Sequence, residues 1–193
     1  MTELKTYLNR LIVLPDPDWE ALSQLFSAAE LPRGTYFAQE GRVENSLGFL
    51  RQGVIRAFYR SSNGTEYNKT FFSDQEFFGA YSSLVSRQTN RINLQALTDC
   101  LILKANYRDI TGLFAQHRSV ETLARLQAES FFLHKEKREI ELVLLRADER
   151  YRIFKEEYPT LENLISQYHV ASYLGITPTQ LSRIRGANQK PQA

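Results

Sequence analysis

The chain has 193 residues, 42% hydrophobic and 24% charged, which is enough to bury a core without disulfides or metals. Its single cysteine, Cys100, excludes an intramolecular disulfide and a four-cysteine metal or iron–sulfur site. The formal net charge is only +2, and there is neither a signal-peptide core nor a window of about 18 apolar residues, so we expect a cytoplasmic protein without a membrane span.

The N-terminal segment predicts two helices. The first is indicated by a row of apolar residues at helical spacing that ends before Pro15: Leu4, Leu8, Leu11 and Ile12. Asp18 can cap the second helix, which we expect to end near Leu31 and Pro32. Its apolar residues are Trp19, Leu22, Leu25 and Phe26.

From Arg33 to Leu103, short apolar runs alternate with glycine turns. Asn63-Gly64 lies between two of these runs and is typical of a hairpin turn, because both residues tolerate a positive φ. No gap is long enough for the helices of a doubly wound sheet. The pattern therefore predicts an α+β protein whose residues 1–116 form an antiparallel β-roll (jelly-roll) sensor domain with N-terminal helices.

A long helix is predicted from Ser119 to about Leu145, since this stretch contains neither glycine nor proline. Leu126, Leu133 and Ile140 recur every seven residues. A helix of this length spans about 40 Å, too far for a small roll to cover. We therefore predict that residues 117–146 form a dimerisation helix, buried against its own roll and against the same helix of a second chain. The alternative is a monomer whose helix lies on its own domain.

Residues 147–193 predict a helix-turn-helix domain. Ala171 occupies the position where the two helices cross, and Gly175 can provide the positive φ of the turn. Thr177 is the expected N-cap of the second helix, and Pro178 takes its first position. The apolar residues that hold the two helices together are Val170, Leu174, Ile176, Leu181 and Ile184.

The second helix of this unit carries residue types that contact base edges and phosphates. Residues 163–193 contain three basic groups and no acidic group, whereas the rest of the chain is nearly neutral. The alternative is a plain helical hairpin, whose polar face would carry acidic side chains about as often as basic ones. We therefore predict contact with double-stranded DNA through Thr177, Thr179, Gln180, Ser182, Arg183, Arg185 and Lys190.

Nearly the whole chain resembles the Crp/Fnr superfamily of bacterial transcription regulators. The resemblance rests on Arg-Gly-Thr-Tyr-Phe-Ala-Gln-Glu-Gly at 33–41, Phe-Phe-Gly at 77–79 and Ala-Leu-Thr-Asp-Cys at 96–100, which are similar to a cyclic-nucleotide-binding roll. Glu-Arg-Tyr at 149–151 and the string from Ala171 to Arg185 resemble a subgroup common in Bacteroidetes-type bacteria. The resemblance implies a homodimer, a near-palindromic operator, RNA polymerase as a partner, and Arg183 as a guanine-reading arginine.

Two departures from the family pattern concern the effector and the C-terminus. The cyclic-AMP cassette has a glutamate where this chain has Ala80, and an Arg-Ser pair where it has Asn90 and Arg91. We therefore expect an unidentified small-molecule effector rather than cyclic AMP in the usual mode, with candidate contacts Gly79, Ala80, Tyr81, Ser82, Asn90 and Arg91. The residues after Arg185 are too few for a β-wing, so none is expected.

Two alternatives remain open. The regulator can be effector-independent, with its roll filled by Tyr81, Phe78 and Phe58, or the chain can be a ligand-binding or interaction module that no longer binds DNA. Metalloenzymes with a similar roll need a histidine cluster on its strands. The histidines His117, His134 and His169 all lie outside the predicted roll, so a metal site in the roll is not expected, while haem ligation with His134 as the candidate stays open. No nucleophile–base pair can be read from the sequence, so no catalytic residue is expected.

Overall fold

The computed structural model describes residues 1–73 and 75–188. Two four-stranded antiparallel sheets form a roll, with strand orders β1-β8-β3-β6 and β2-β7-β4-β5. This confirms the predicted α+β class. The strands are β1 (Ser27–Leu31), β2 (Tyr36–Ala38), β3 (Ser46–Gln52), β4 (Ile55–Arg60), β5 (Glu66–Phe72), β6 (Glu76–Phe78), β7 (Asn93–Ala96) and β8 (Cys100–Asn106).

Helices precede, interrupt and follow the roll. They are α1 (Thr2–Leu8), α2 (Asp16–Ser23), α3 (Tyr81–Ser86), α4 (Tyr107–Gly112), α5 (Arg118–Leu144), α6 (Ala147–Glu157), α7 (Leu161–Leu164), α8 (Gln167–Leu174) and α9 (Pro178–Asn188). Within the described ranges, none of them combines the length and apolar character that a membrane crossing needs. The predicted absence of a wing concerns the end of the chain, and residues 189–193 lie outside the described residues.

The hairpin predicted at Asn63-Gly64 joins β4 to β5, whose register pairs Arg60 with Glu66. Gly64 has the positive φ, +84°. Asn63 contributes through its side chain, because its Oδ1 accepts a hydrogen bond of 3.0 Å from the Thr65 amide. One residue of the pair therefore turns the backbone and the other stabilises the turn.

The second predicted helix is shorter than expected, and the prediction that it reaches Leu31 is wrong. It ends at Ser23, and Ser27–Leu31 form strand β1 along β8. Asp18 lies inside this helix rather than at its cap: its carboxylate is 2.7 Å from Nδ1 of His117 and accepts a hydrogen bond from Ser119. The Asp18 carboxylate thus links α2 to the start of α5.

The space between the two sheets is filled by aromatic and aliphatic side chains. Phe78 is fully buried, and a Cβ added to Gly48 would lie 2.3 Å from its ring, so only glycine fits beneath it. The rings of Phe37 and Phe72 lie with their centroids 4.6 and 6.0 Å from that of Phe78. The interior of the roll is thus a packed apolar core.

The long helix α5 extends for 27 residues, as the glycine- and proline-free stretch predicts. Val120 and Leu123 are buried against the N-terminal helices and the first sheet. Further along, apolar side chains remain exposed in this single chain: Phe132, Leu133, Ile140, Leu142, Val143 and Leu144.

Candidate nucleic-acid interface

The helices α8 and α9 meet in the tight turn that the sequence predicts. Ala171 is buried at the crossing, with 1% of its surface exposed. Gly175 ends α8 in the left-handed region, with φ +69°. The Ile176 amide then donates a 3.0 Å hydrogen bond to the carbonyl of Ala171. The buried apolar residues of this unit are Val170, Leu174 and Leu181, with Ile176 and Ile184 packed against them.

A reciprocal pair of hydrogen bonds holds the first turn of α9. The Gln180 amide donates to Oγ1 of Thr177 over 3.2 Å, and the Thr177 amide donates to Oε1 of Gln180 over 2.9 Å. This is a capping box, and Pro178 occupies the first helical position within it. Both side chains were predicted to contact DNA, and the structure assigns each a structural role at the helix start.

The outer face of α9 presents Thr179, Ser182 and Arg183, all exposed. Within residues 1–73 and 75–188, no carboxylate lies at ion-pair distance from Arg183. Arg185 differs, because its Nε is 3.1 Å from Oε1 of Glu162 in α7. Among the described cations of this face, Arg183 is therefore free to contact a ligand, whereas Arg185 is held by Glu162. Lys190, the last predicted contact, lies outside the described residues.

Two arginines outside the helix-turn-helix support it from behind, and the sequence analysis missed both. The guanidinium of Arg138, on α5, lies 3.8 Å from the ring centroid of Tyr173 and donates to the Tyr173 carbonyl. Arg150, on α6, donates from Nε to the Leu174 carbonyl over 3.0 Å. These carbonyls end α8 without intrahelical partners, so the two cations satisfy them and favour the negative end of the helix dipole.

Among the residues predicted to contact an effector, some are buried in the fold and others are exposed. Asn90 is buried and holds a turn, since its Nδ2 donates to the Gln39 carbonyl over 3.3 Å and its Oδ1 accepts from the Ile92 amide over 2.9 Å. Arg91 and Ser82 are exposed. Arg91 precedes β7 rather than lying on a strand. Ala80 is buried at the start of α3.

Gly79 and Tyr81, on either side of Ala80, also have packing roles. A Cβ at Gly79 would lie 3.3 Å from Cδ1 of Leu84, so the chain is closely packed there. The ring of Tyr81 contacts Tyr107 and Phe131, with centroids 6.1 and 5.8 Å away. Burial and the hydroxyl of Tyr81 raise the pKa of Tyr107. Tyr81 thus joins α3 to the long helix α5.

Of the three side chains predicted to fill the roll, Phe78 lies in the interior core and Tyr81 packs toward α5. Phe58 is fully buried, but its ring packs on the guanidinium of Arg56 at 3.8 Å and near Tyr36. Phe37 and Phe72, both partly buried, pack against the interior core where the other two predicted residues do not. Whether the regulator is effector-independent stays a prediction.

Comparison with known proteins shows which fold this architecture shares. Residues 28–117 match the family model of the cyclic nucleotide-binding domain. FixK2 from Bradyrhizobium japonicum superposes with a TM-score of 0.73 at 18% identity, covering 84% of this chain and 83% of that one. A transcriptional regulator of the Crp/Fnr family from Eubacterium rectale gives 0.74 at 16% identity, covering 95% and 88%. The chain has the Crp/Fnr fold.

A third structure with the Crp/Fnr fold is the c-di-GMP responsive global regulator CLP from Xanthomonas campestris, with a TM-score of 0.71 at 15% identity and coverage of 91% and 92%. No curated protein matches the sequence. The resemblance to the Crp/Fnr superfamily is thereby confirmed at the level of the fold. Membership of the Bacteroidetes-type subgroup stays a prediction.

Proposed function

We propose that this Crp/Fnr-type chain is a dimeric, DNA-binding transcription regulator. The observation that carries the proposal is the outer face of α9. A capped helix presents Thr179, Ser182 and Arg183 to solvent, and Arg183 has no ion-pair partner in the described part of the chain. Residues 163–193 contain no acidic side chain that would repel phosphates. Arginine can contact guanine through two hydrogen bonds, and hydroxyl groups bind phosphates.

A second copy of the chain is the proposed occupant of the exposed side of α5. Leu133 and Ile140 are 63% and 52% exposed in the single chain, and four further large apolar residues of α5 are exposed with them: Phe132, Leu142, Val143 and Leu144. So many exposed apolar side chains on one helix are typical of an interaction surface. The spacing of seven residues between Leu133 and Ile140, shared with Leu126, suits packing against a second helix. The proposed dimer axis therefore runs between two copies of α5.

Two-fold symmetry determines the form of the proposed target. Two α9 helices related by the dimer axis would enter successive major grooves about 34 Å apart, on a near-palindromic operator in double-stranded DNA. RNA polymerase is the protein partner that the family resemblance implies. The competing class is an interaction module with the same fold that no longer binds DNA.

The packed roll favours a second candidate within this function, an effector-independent regulator. Phe37, Phe72 and Phe78 occupy the space between the sheets, Asn90 is committed to a turn and Arg91 is exposed. A cyclic phosphate needs a positive group and backbone donors that converge on it. The buried Ala80 also offers no carboxylate for a ribose. The unidentified small-molecule effector of the sequence analysis would have to displace this packing.

DNA binding is tested by titrating fluorescent random-sequence duplex with the purified protein at several salt concentrations. We expect the logarithm of the association constant to fall steeply and linearly with the logarithm of salt concentration, because bound Lys and Arg release counterions. Arg183→Ala should weaken binding to a selected operator by about 1–3 kcal/mol and relax the choice at one base pair. Arg10→Ala, an exposed arginine near the N-terminus, is the matched control and should bind as the wild type does. A flat salt dependence would contradict the proposal.

A further inference from the structure

The helix-turn-helix unit packs on the roll of its own chain through a buried apolar cluster that includes Phe71 of β5 and Tyr173 of α8. Beside this cluster, a polar seam joins α8 to the edge strand β5. The Asn68 amide donates to Oγ of Ser172 over 3.0 Å, and that hydroxyl donates to the Glu66 carbonyl over 2.7 Å. The Asn68 side-chain amide donates to the His169 carbonyl over 3.1 Å. The hydroxyl of Ser172 thus takes the place of a neighbouring strand along part of β5.

A buried arginine lies at the centre of this seam. Only 4% of Arg56 is exposed. Its Nη1 is 2.7 Å from Oε2 of Glu66, its Nε and Nη2 donate to Oε1 of Gln95, and its guanidinium packs on Phe58. Since these contacts come from β4, β5 and β7, the guanidinium of Arg56 is fixed to the roll.

His169, on α8, faces that cation. Its Nδ1 is 3.3 Å from Nη1 of Arg56 and 3.5 Å from Nδ2 of Asn68. Both of these nitrogen atoms, Nη1 of Arg56 and Nδ2 of Asn68, are donors without acceptor capacity. The imidazole can therefore complete these contacts only as an acceptor, which requires that Nδ1 carry no proton and that the ring be neutral.

The other groups around His169 determine how readily it takes up a proton. From β5, Glu66 favours the charged ring, whereas burial and the fixed charge of Arg56 oppose it more strongly and lower the pKa of His169. Tyr168 lies beside the ring, with centroids 5.9 Å apart. Arg33, Gln95 and Ser166 line a crevice with His169, and among these Arg33 adds positive charge.

We propose that His169 is a proton-controlled latch between the roll and the helix-turn-helix unit. Neutral His169 accepts from Arg56 and Asn68 and holds α8 on β5. Protonated His169 places a second cation against Arg56 and removes the acceptor, so the polar seam opens and the docking of α8 on β5 weakens. The undocked state binds the proton more tightly, so docking is fully stable above the ordinary histidine pKa of about 6.5 and weakens as the pH falls below it. This proposal does not depend on whether α9 binds DNA.

The Asn68 amide reports on the latch directly, because its hydrogen-bond partner is Ser172 of the docked helix. We would measure its hydrogen-exchange protection factor by NMR, relative to the intrinsic rate at each pH, from about pH 7.5 to about pH 5. The expected result is a severalfold loss of protection on acidification. It should be confined to β5 and α8, while amides of β3 and β8 keep theirs. Constant protection of Asn68 over this range would overturn the proposal.

Two histidine variants distinguish protonation of His169 from protonation of other groups as the cause of the pH dependence. His169→Gln retains a side-chain acceptor that does not titrate, so protection of Asn68 should no longer depend on pH. His134→Gln removes an exposed histidine of α5 and should leave the wild-type dependence intact. An equal loss of protection on acidification in His169→Gln would overturn the proposal. The wild-type ¹⁵N shifts of His169 test it without any variant, since a protonated Nδ1 at about pH 7.5 would contradict the acceptor role.

Discussion

The two arginines of α9, Arg183 and Arg185, have different roles because their neighbours differ. Ala171, Gly175 and Pro178 could be predicted from the sequence, since a helix crossing, a left-handed turn and a first helical position each constrain the local residue type. The roles of Arg183 and Arg185 could not be separated in that way. The Glu162 carboxylate that holds Arg185 comes from α7, two helices earlier in the chain, and only the tertiary structure brings the two side chains together.

A substitution of Gln180 tests whether this side chain stabilises the start of α9 or reads a DNA base. Gln180→Ala removes half of the capping box, so we expect it to destabilise the protein by about 1 kcal/mol and to lower its Tm. DNA affinity should fall by a similar factor on every sequence, because α9 is less well formed. Thermal unfolding and titrations with two operator variants measure both effects. Thr179→Ala, an exposed neighbour, is the control for stability. An unchanged Tm with a loss confined to one base pair would show that Gln180 reads DNA.

Helices and strands were predicted well where their own sequence pattern is strong, and poorly where pairing with a distant strand determines the structure. The 27-residue helix α5 has no competing local signal, and the structure confirms it. The residues of strand β1, Ser27–Leu31, were predicted to be the end of the second helix, and they do include good helix formers such as alanine and glutamate. This segment becomes a strand by pairing with β8, from Ser27 opposite Lys104 to Leu31 opposite Cys100. A partner about 70 residues away in sequence overrides a weak local preference there.

The exposed side of α5 leads to a prediction about oligomeric state. Leu133→Asp places a charge where we propose that two copies pack, so it should convert the dimer to a monomer in sedimentation-velocity experiments. Val85→Asp is the matched control, because Val85 is 57% exposed on another helix and should leave the dimer intact. A dimer that survives Leu133→Asp unchanged would locate the interface elsewhere.

For the whole molecule, the fold could be predicted from strand, helix and turn patterns together, but the relation between its two units could not. Arg56 and His169 are 113 residues apart in sequence and 3.3 Å apart in the structure. Nothing in their local sequence links them. The packed roll interior likewise depends on how Phe37, Phe72 and Phe78 meet, which the sequence analysis predicted only for Phe78. The docked unit nevertheless leaves the outer face of α9 exposed, as an operator-bound dimer requires.

The most direct test of the account is the dependence of binding on the phase of two half-sites. An operator selected from random sequence would be altered by inserting about five base pairs at its centre, which rotates one half-site by about half a helical turn. For a two-fold dimer that presents two α9 helices about 34 Å apart, we predict that this insertion lowers the affinity at least about tenfold. Inserting about ten base pairs restores the phase of the half-sites but separates them further, so affinity recovers only if the dimer can span the longer distance. Equal affinity for the original and the half-turn operator would contradict a dimeric regulator that reads DNA through α9.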